Sequence, residues 1–259
     1  MNAARVIRFA GRGVLLSTAA VGLAAAGLLV VEAMVALSRR YAQPAIGPGM
    51  RATFGAPHAP TLRLVMFGDA TAAGVGVGRV EDTVGGQLAE RLAGTGLRVE
   101  LTSAAVSGSR SGDLDTQVAR ALLTDPPELA VILVGGQDVV HGTSPARAAT
   151  ELAAAIARLR TAGVSVVVGT CPELAACRAI GQPLRELVGY FGRRLGRAQI
   201  SATRAADAVP VDLAAATGAV FRADAGMLCG DGFHPSADGY RIWAHALYPA
   251  VAALHGSTR

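Results

Sequence analysis

The chain has 259 residues, with 24 basic against 19 acidic side chains and a formal charge of +5. Hydrophobic residues make up 51% and charged residues 17%, which excludes a disordered chain, and the length beyond a short leader suits one α/β domain. Every basic residue is Arg, which excludes lysine chemistry (a Schiff base, a Walker loop, a Ser–Lys dyad), and scattered arginines with only 4% aromatics argue against a nucleic-acid partner.

The leader comes first. Gly13 to Val31 is a run of 19 residues without a charge; Glu32 interrupts it, and Ala33 to Leu37 continues the apolar character. As a helix the run spans roughly 28 Å, about one hydrocarbon core. Two readings fit, an uncleaved membrane anchor over residues 13–37 and a cleaved signal peptide. The length of the run, and the lack of a clean small-x-small site before Glu32, favour the anchor. Arg5, Arg8 and Arg12 precede the run; Arg39, Arg40 and Arg51 follow it. The positive-inside count leans toward the amino terminus inside and the domain outside. Residues 1–40 are thus expected as the leader. Residues 41–60, with Pro44, Pro48, Pro57 and Pro60, read as an extended linker that lifts the domain, 61–259, off the membrane.

From residue 61 short β-rich runs alternate with helical stretches. Leu64–Phe67 reads as a buried strand. Val84, Leu88 and Leu92 mark one face of a helix. Val99–Val106 is the second strand, Leu114–Leu123 a helix, and Leu129–Val134 a strand buried on both faces. Leu152, Ile156 and Leu159 line a helix that ends at Gly163. Val164–Val168, an Arg-rich helix over Pro183–Ala206, the short edge strand Val209–Val211 and a last helix over Ala237–Leu254 complete the series. This alternation predicts a three-layer α/β/α sandwich, flavodoxin-like, with five parallel strands. Such sheets bind ligands at the carboxyl ends of their strands, so the loops starting near residues 68, 107, 135, 170 and 212 are the ones to inspect.

Four segments stand out there: Gly68-Asp69-Ala70-Thr71, Ser107-Gly108-Ser109-Arg110-Ser111, Gly135-Gly136-Gln137-Asp138, and Asp231-Gly232-Phe233-His234-Pro235 before the last helix. Together and in this order they resemble the SGNH hydrolases, also called the GDSL esterase and lipase family, over residues 62 to about 252. The wording is closest to secreted or membrane-anchored bacterial members. The resemblance implies a serine ester hydrolase acting on acyl or acetyl esters without a cofactor or metal. It assigns His234 as general base and Asp231 as its orienter, and an oxyanion hole to the backbone N–H groups of positions 70 and 108 and a side-chain amide at 137.

Two positions depart from that pattern. The nucleophile position holds Ala70, which has no hydroxyl. The oxyanion amide is Gln137 rather than Asn, and the only Asn of the chain is Asn2. The extra methylene shifts the donor on the order of 1 Å, which can cost roughly a hundredfold. Three readings stay open: a degenerate family member, a ligand-binding pseudoenzyme at the cell envelope, and an active esterase or lipase in which Ala70 is an engineered or erroneous change. Thr71 is adjacent but leaves the turn in another direction, and Ser107, Ser109 and Ser111 suit bonds to local backbone. No Gly-x-Ser-x-Gly elbow exists. His58, His141, His245 and His255 show no ligand spacing, so no metal is expected. Cys171, Cys177 and Cys229 allow either one local bridge, Cys171–Cys177, or three unpaired thiols.

Overall fold

The computed structural model describes residues 24–36, 38–46, 50–124 and 126–257. Residues 13–23 and 37 of the expected anchor, residues 13–37, lie outside them; residues 24–36 are helical (α1). Among the described residues no helix is long and apolar enough to cross a membrane.

Six strands form one sheet: β1 (Arg51–Phe54), β2 (Thr61–Gly68), β3 (Arg98–Ser103), β4 (Leu129–Leu133), β5 (Ser165–Gly169) and β6 (Val209–Val211), in the order β1-β3-β2-β4-β5-β6. The five expected strands, β2 to β6, are present and parallel. The sixth is a correction. β1 pairs antiparallel with β3, Phe54 opposite Val99 and Arg51 opposite Thr102. It lies inside the stretch expected as linker, because an edge strand with no fully buried face, flanked by prolines, carries no apolar run.

Among the described residues seven further helices flank the sheet: α2 (Val84–Ala93), α3 (Leu114–Thr124), α4 (Gly136–Val140), α5 (Pro145–Thr161), α6 (Leu184–Ala205), α7 (Leu213–Ala223) and α8 (Ala237–Ser257). Side chains alternate across the strands. Leu64, Met66, Val131 and Leu133 point into the core shared with α2, α7 and α8; Val65, Phe67, Ile132 and Val168 point into the core shared with α3 and α5. β4 is fully buried, which makes it the centre of the sheet. The sequence pattern does not reveal α7: its Ala-rich run has no strong stripe, and its start is set by Asp212, whose carboxylate accepts the Ala215 N–H at 3.0 Å.

Candidate active site

The four segments meet at the carboxyl edge of the sheet. β2 ends at Gly68, with φ +129°, where a Cβ would run into the Leu133 carbonyl. Only glycine lets the chain leave the sheet so close to β4. The Gln117 side chain of α3 then grips Gly68 on both sides. Its Oε1 accepts the Gly68 N–H at 2.8 Å, and its Nε2 donates to the Gly68 carbonyl at 2.9 Å and the Ser109 hydroxyl at 3.1 Å. Asp69 follows, buried, accepting from the Thr71 N–H (2.9 Å) and hydroxyl (2.7 Å). Burial pushes the Asp69 carboxyl up, against the Thr71 bonds. The Thr71 hydroxyl is therefore committed to Asp69. Between them sits Ala70, which lines an apolar cavity of about 50 Å³ together with Leu133, Gln137, Phe221, His234 and Trp243.

His234 and Asp231 come from a tight hairpin ahead of α8. Cys229 N–H donates to the His234 carbonyl at 2.8 Å, and Leu228 bridges Pro235. Asp231 Oδ1 accepts the N–H groups of Phe233 (2.8 Å) and His234 (2.9 Å) and the Cys229 thiol (3.1 Å). Its Oδ2 pairs with His234 Nδ1 at 2.7 Å and accepts the Ala42 N–H at 2.9 Å. Burial opposes the Asp231 charge, but the His234 ring and the N–H groups of Ala42, Phe233 and His234 outweigh it and hold the carboxyl well below the usual range. With Nδ1 engaged, Nε2 is the ring nitrogen left for chemistry.

The oxyanion positions are placed unequally. Gln137 is half-buried in the first turn of α4 and lines the cavity. The next residue, Asp138, is fully buried and accepts the Ser111 N–H (3.1 Å) and hydroxyl (2.9 Å), which ties α4 to the β3–α3 loop. Gly108 sits on that loop, exposed, at φ +86°, and does not line the cavity. Among the described residues the N–H groups of Ala70 and Gly108 donate to no protein acceptor. Ser109 and Ser111 bond buried side chains, Gln117 and Asp138, rather than the local backbone expected of them.

All three cysteines are free thiols, so the Cys171–Cys177 bridge is not formed. Burial pushes Cys171 well above its ordinary value and Cys177 up to about 12. His141 bonds the Gln137 carbonyl at 2.9 Å from an exposed position. Among the described residues no group of His, Cys, Asp and Glu has the geometry to hold a metal ion. Sequence reasoning missed Gln117, an ordinary helix residue in the linear pattern, and Ala42, which acts through its backbone from 189 positions away.

Comparison with known proteins identifies the family. The model of the GDSL-like lipase/acylhydrolase family matches residues 66–242. The chain is 38% identical, over 95% of its length and 82% of the relative's, to GDSL-like esterase Rv1075c of Mycobacterium tuberculosis. It belongs to the GDSL-like lipase/acylhydrolase family. Among solved structures it superposes on TesA (TM-score 0.61, 23% identity, 74% of this chain and 99% of the other). It also superposes on the lipase/acylhydrolase of Enterococcus faecalis (TM-score 0.61, 21% identity, 74% and 96%). These two share the SGNH hydrolase fold.

Proposed function

We propose that the cavity is an ester-hydrolase site in which His234 is the general base, Asp231 its orienter and position 70 the nucleophile position. The observation that carries this reading is the 2.7 Å Nδ1–Oδ2 pair, whose His234 lines the cavity that Ala70 also lines. A hydroxyl at position 70 would attack the ester carbonyl and pass its proton to Nε2. Asp231, held charged, would stabilise the imidazolium, and the protonated ring would return the proton to the leaving alcohol. The developing oxyanion would take the free N–H groups of positions 70 and 108 and the Gln137 amide.

As written, the chain lacks that hydroxyl. Losing the nucleophile of a serine hydrolase costs on the order of 10⁶ in turnover. The reading is therefore of a degenerate member that binds acyl or acetyl esters without appreciable turnover. The names of its relatives, an esterase and a lipase/acylhydrolase, support the ester class. The intact Asp231–His234 geometry favours a second reading, an active esterase or lipase whose serine has been replaced at position 70. The native gene's codon for residue 70 separates the two. The apolar leader supports placing the domain outside the cytoplasm, anchored, or secreted once the leader is cleaved. Protease added outside intact cells, with only the outer layers permeabilised, tests this, and a protected domain would contradict it.

The activity test is hydrolysis of short p-nitrophenyl esters. The unmodified chain should show almost none, Ala70→Ser should gain activity, and Ala70→Ser with Gln137→Asn should exceed it by up to about 10²–10³-fold. Strong activity in the unmodified chain that survives His234→Ala would place the chemistry elsewhere.

A further inference from the structure

Residues 32–36 and 38–46 are stitched across the site rather than extended away from it. On α1, Glu32 Oε2 accepts the N–H of Leu184, the first residue of α6, at 2.8 Å. The N-cap there is Pro183, whose side chain cannot cap, so a carboxylate from the leader takes that place. The Tyr41 hydroxyl donates back to the Ala36 carbonyl at 2.8 Å. Its ring stands edge-on to Phe233, with centroids 5.2 Å apart, and to the His234 imidazole at 6.4 Å. Ala42 donates its N–H to Asp231 Oδ2, the oxygen that also engages His234 Nδ1. Ile46 packs on the core beside Gly74, on the loop that follows Ala70.

We propose that this leader-proximal strap, residues 32–36 and 38–46, is a built-in part of the site. Ala42 and Tyr41 are positioning residues that fix the Asp231 carboxylate and the plane of the His234 ring, and the base is complete only while the strap stays attached. Two features make this more than neighbourly packing. Oδ1 is taken by the hairpin's own donors, so among the described residues Ala42 is the one backbone group that fixes Oδ2 from outside the hairpin. Tyr41 meets both aromatic rings of the Phe233–His234 pair, so it limits rotation of the imidazole about its Cα–Cβ bond. A leader cut between α1 and Tyr41 would part Tyr41 and Ala42 from the strap's two upstream ties, the Ala36 carbonyl and the Glu32–Leu184 bond. The domain's place at an envelope and the readiness of its base are then one property.

The proposal rests on reading Asp231 and His234 as orienter and base, and its test is chosen to be independent of turnover. In the full chain in detergent, proton NMR follows solvent exchange of the His234 Nδ1–H. Ala42→Pro, which deletes the N–H, should speed exchange by roughly tenfold to a hundredfold, the range for a hydrogen bond to a charged group, and Tyr41→Ala by roughly twofold to tenfold, the range for an aromatic pair. Ala42→Gly, which keeps the N–H, and Tyr41→Phe, which keeps the ring, should retain slow exchange. Unchanged exchange in Tyr41→Ala, which does not depend on how the backbone tolerates proline, would overturn the proposal. So would equal acceleration in all four variants. In an Ala70→Ser background Tyr41→Ala should lower kcat with little change in KM. If Ala70→Ser is inert while the exchange pattern holds, the catalytic reading fails and the strap stands.

Discussion

Gln117 offers a demanding check on how the site is held. The substitution Gln117→Leu keeps most of the side-chain volume and removes three hydrogen bonds at once. Their loss is not equal. The Gly68 carbonyl keeps a second donor, the Val106 N–H at 3.1 Å, and Ser109 can rotate its hydroxyl. Among the described residues the Gly68 N–H has no other acceptor, and Gln117 itself is 4% exposed. The main cost is therefore one orphaned buried donor, roughly 1–3 kcal/mol, and the expected total is about 2 kcal/mol. With an m-value of about 2 kcal/mol per molar urea, the unfolding midpoint should fall by about 1 M without a change in slope. Trp243, the sole tryptophan and 3% exposed, reports the transition by fluorescence. In an Ala70→Ser background the same change should also lower kcat, because the loop bearing position 70 loses its clamp. A midpoint shift equivalent to less than about 0.5 kcal/mol, outside the range for an orphaned buried group, would refute this account of the loop.

Three further outcomes follow from the core and the titratable groups. Ile132→Ala on β4, where the side chain is 0% exposed, should destabilise by about 2–5 kcal/mol in the same assay through cavity formation. Asp231 is held below its unfolded pKa, so its contribution to stability is complete above about pH 4 and is lost as pH falls through the lower, folded value. The stability gap between the parent and Asp231→Asn should thus be constant near neutrality and narrow in acid; a gap that widens on acidification contradicts the assigned sign. Cys171 and Cys177, both buried with raised thiols, should resist iodoacetamide at neutral pH until the chain is unfolded, as counted by mass spectrometry.

What the sequence reveals and what it hides divide along physical lines. Strands β2, β4 and β5 are legible because burial on both faces demands near-continuous apolar runs, as in Leu129–Leu133, and β3 because apolar and polar residues alternate along it. The edge strand β1 has no such demand on it. The Asp231–His234 pair is legible because a spacing of three lets the two side chains meet within one hairpin. Gln137 and Ala70 are legible only through the order of the four segments, since neither residue type announces a site. The Gln117 clamp and the Ala42 contact depend on chain returns of 49 and 189 residues, which no local pattern encodes. The prolines of residues 41–60 suggest a free tether, yet Tyr41 and Ala42 are drawn onto the domain by an aromatic pair and a buried carboxylate.

The central claim is that position 70 faces a working base. A serine-directed phosphonate ester tests it without reference to any natural substrate, because attack transfers the phosphonyl group to the nucleophile and expels its leaving group. Intact-protein and peptide mass spectrometry of Ala70→Ser should show one adduct, mapped to residue 70, and no adduct in the parent chain or in Ala70→Ser with His234→Ala. An adduct of equal yield without His234, or on Thr71 or any serine of the β3–α3 loop, would contradict the account.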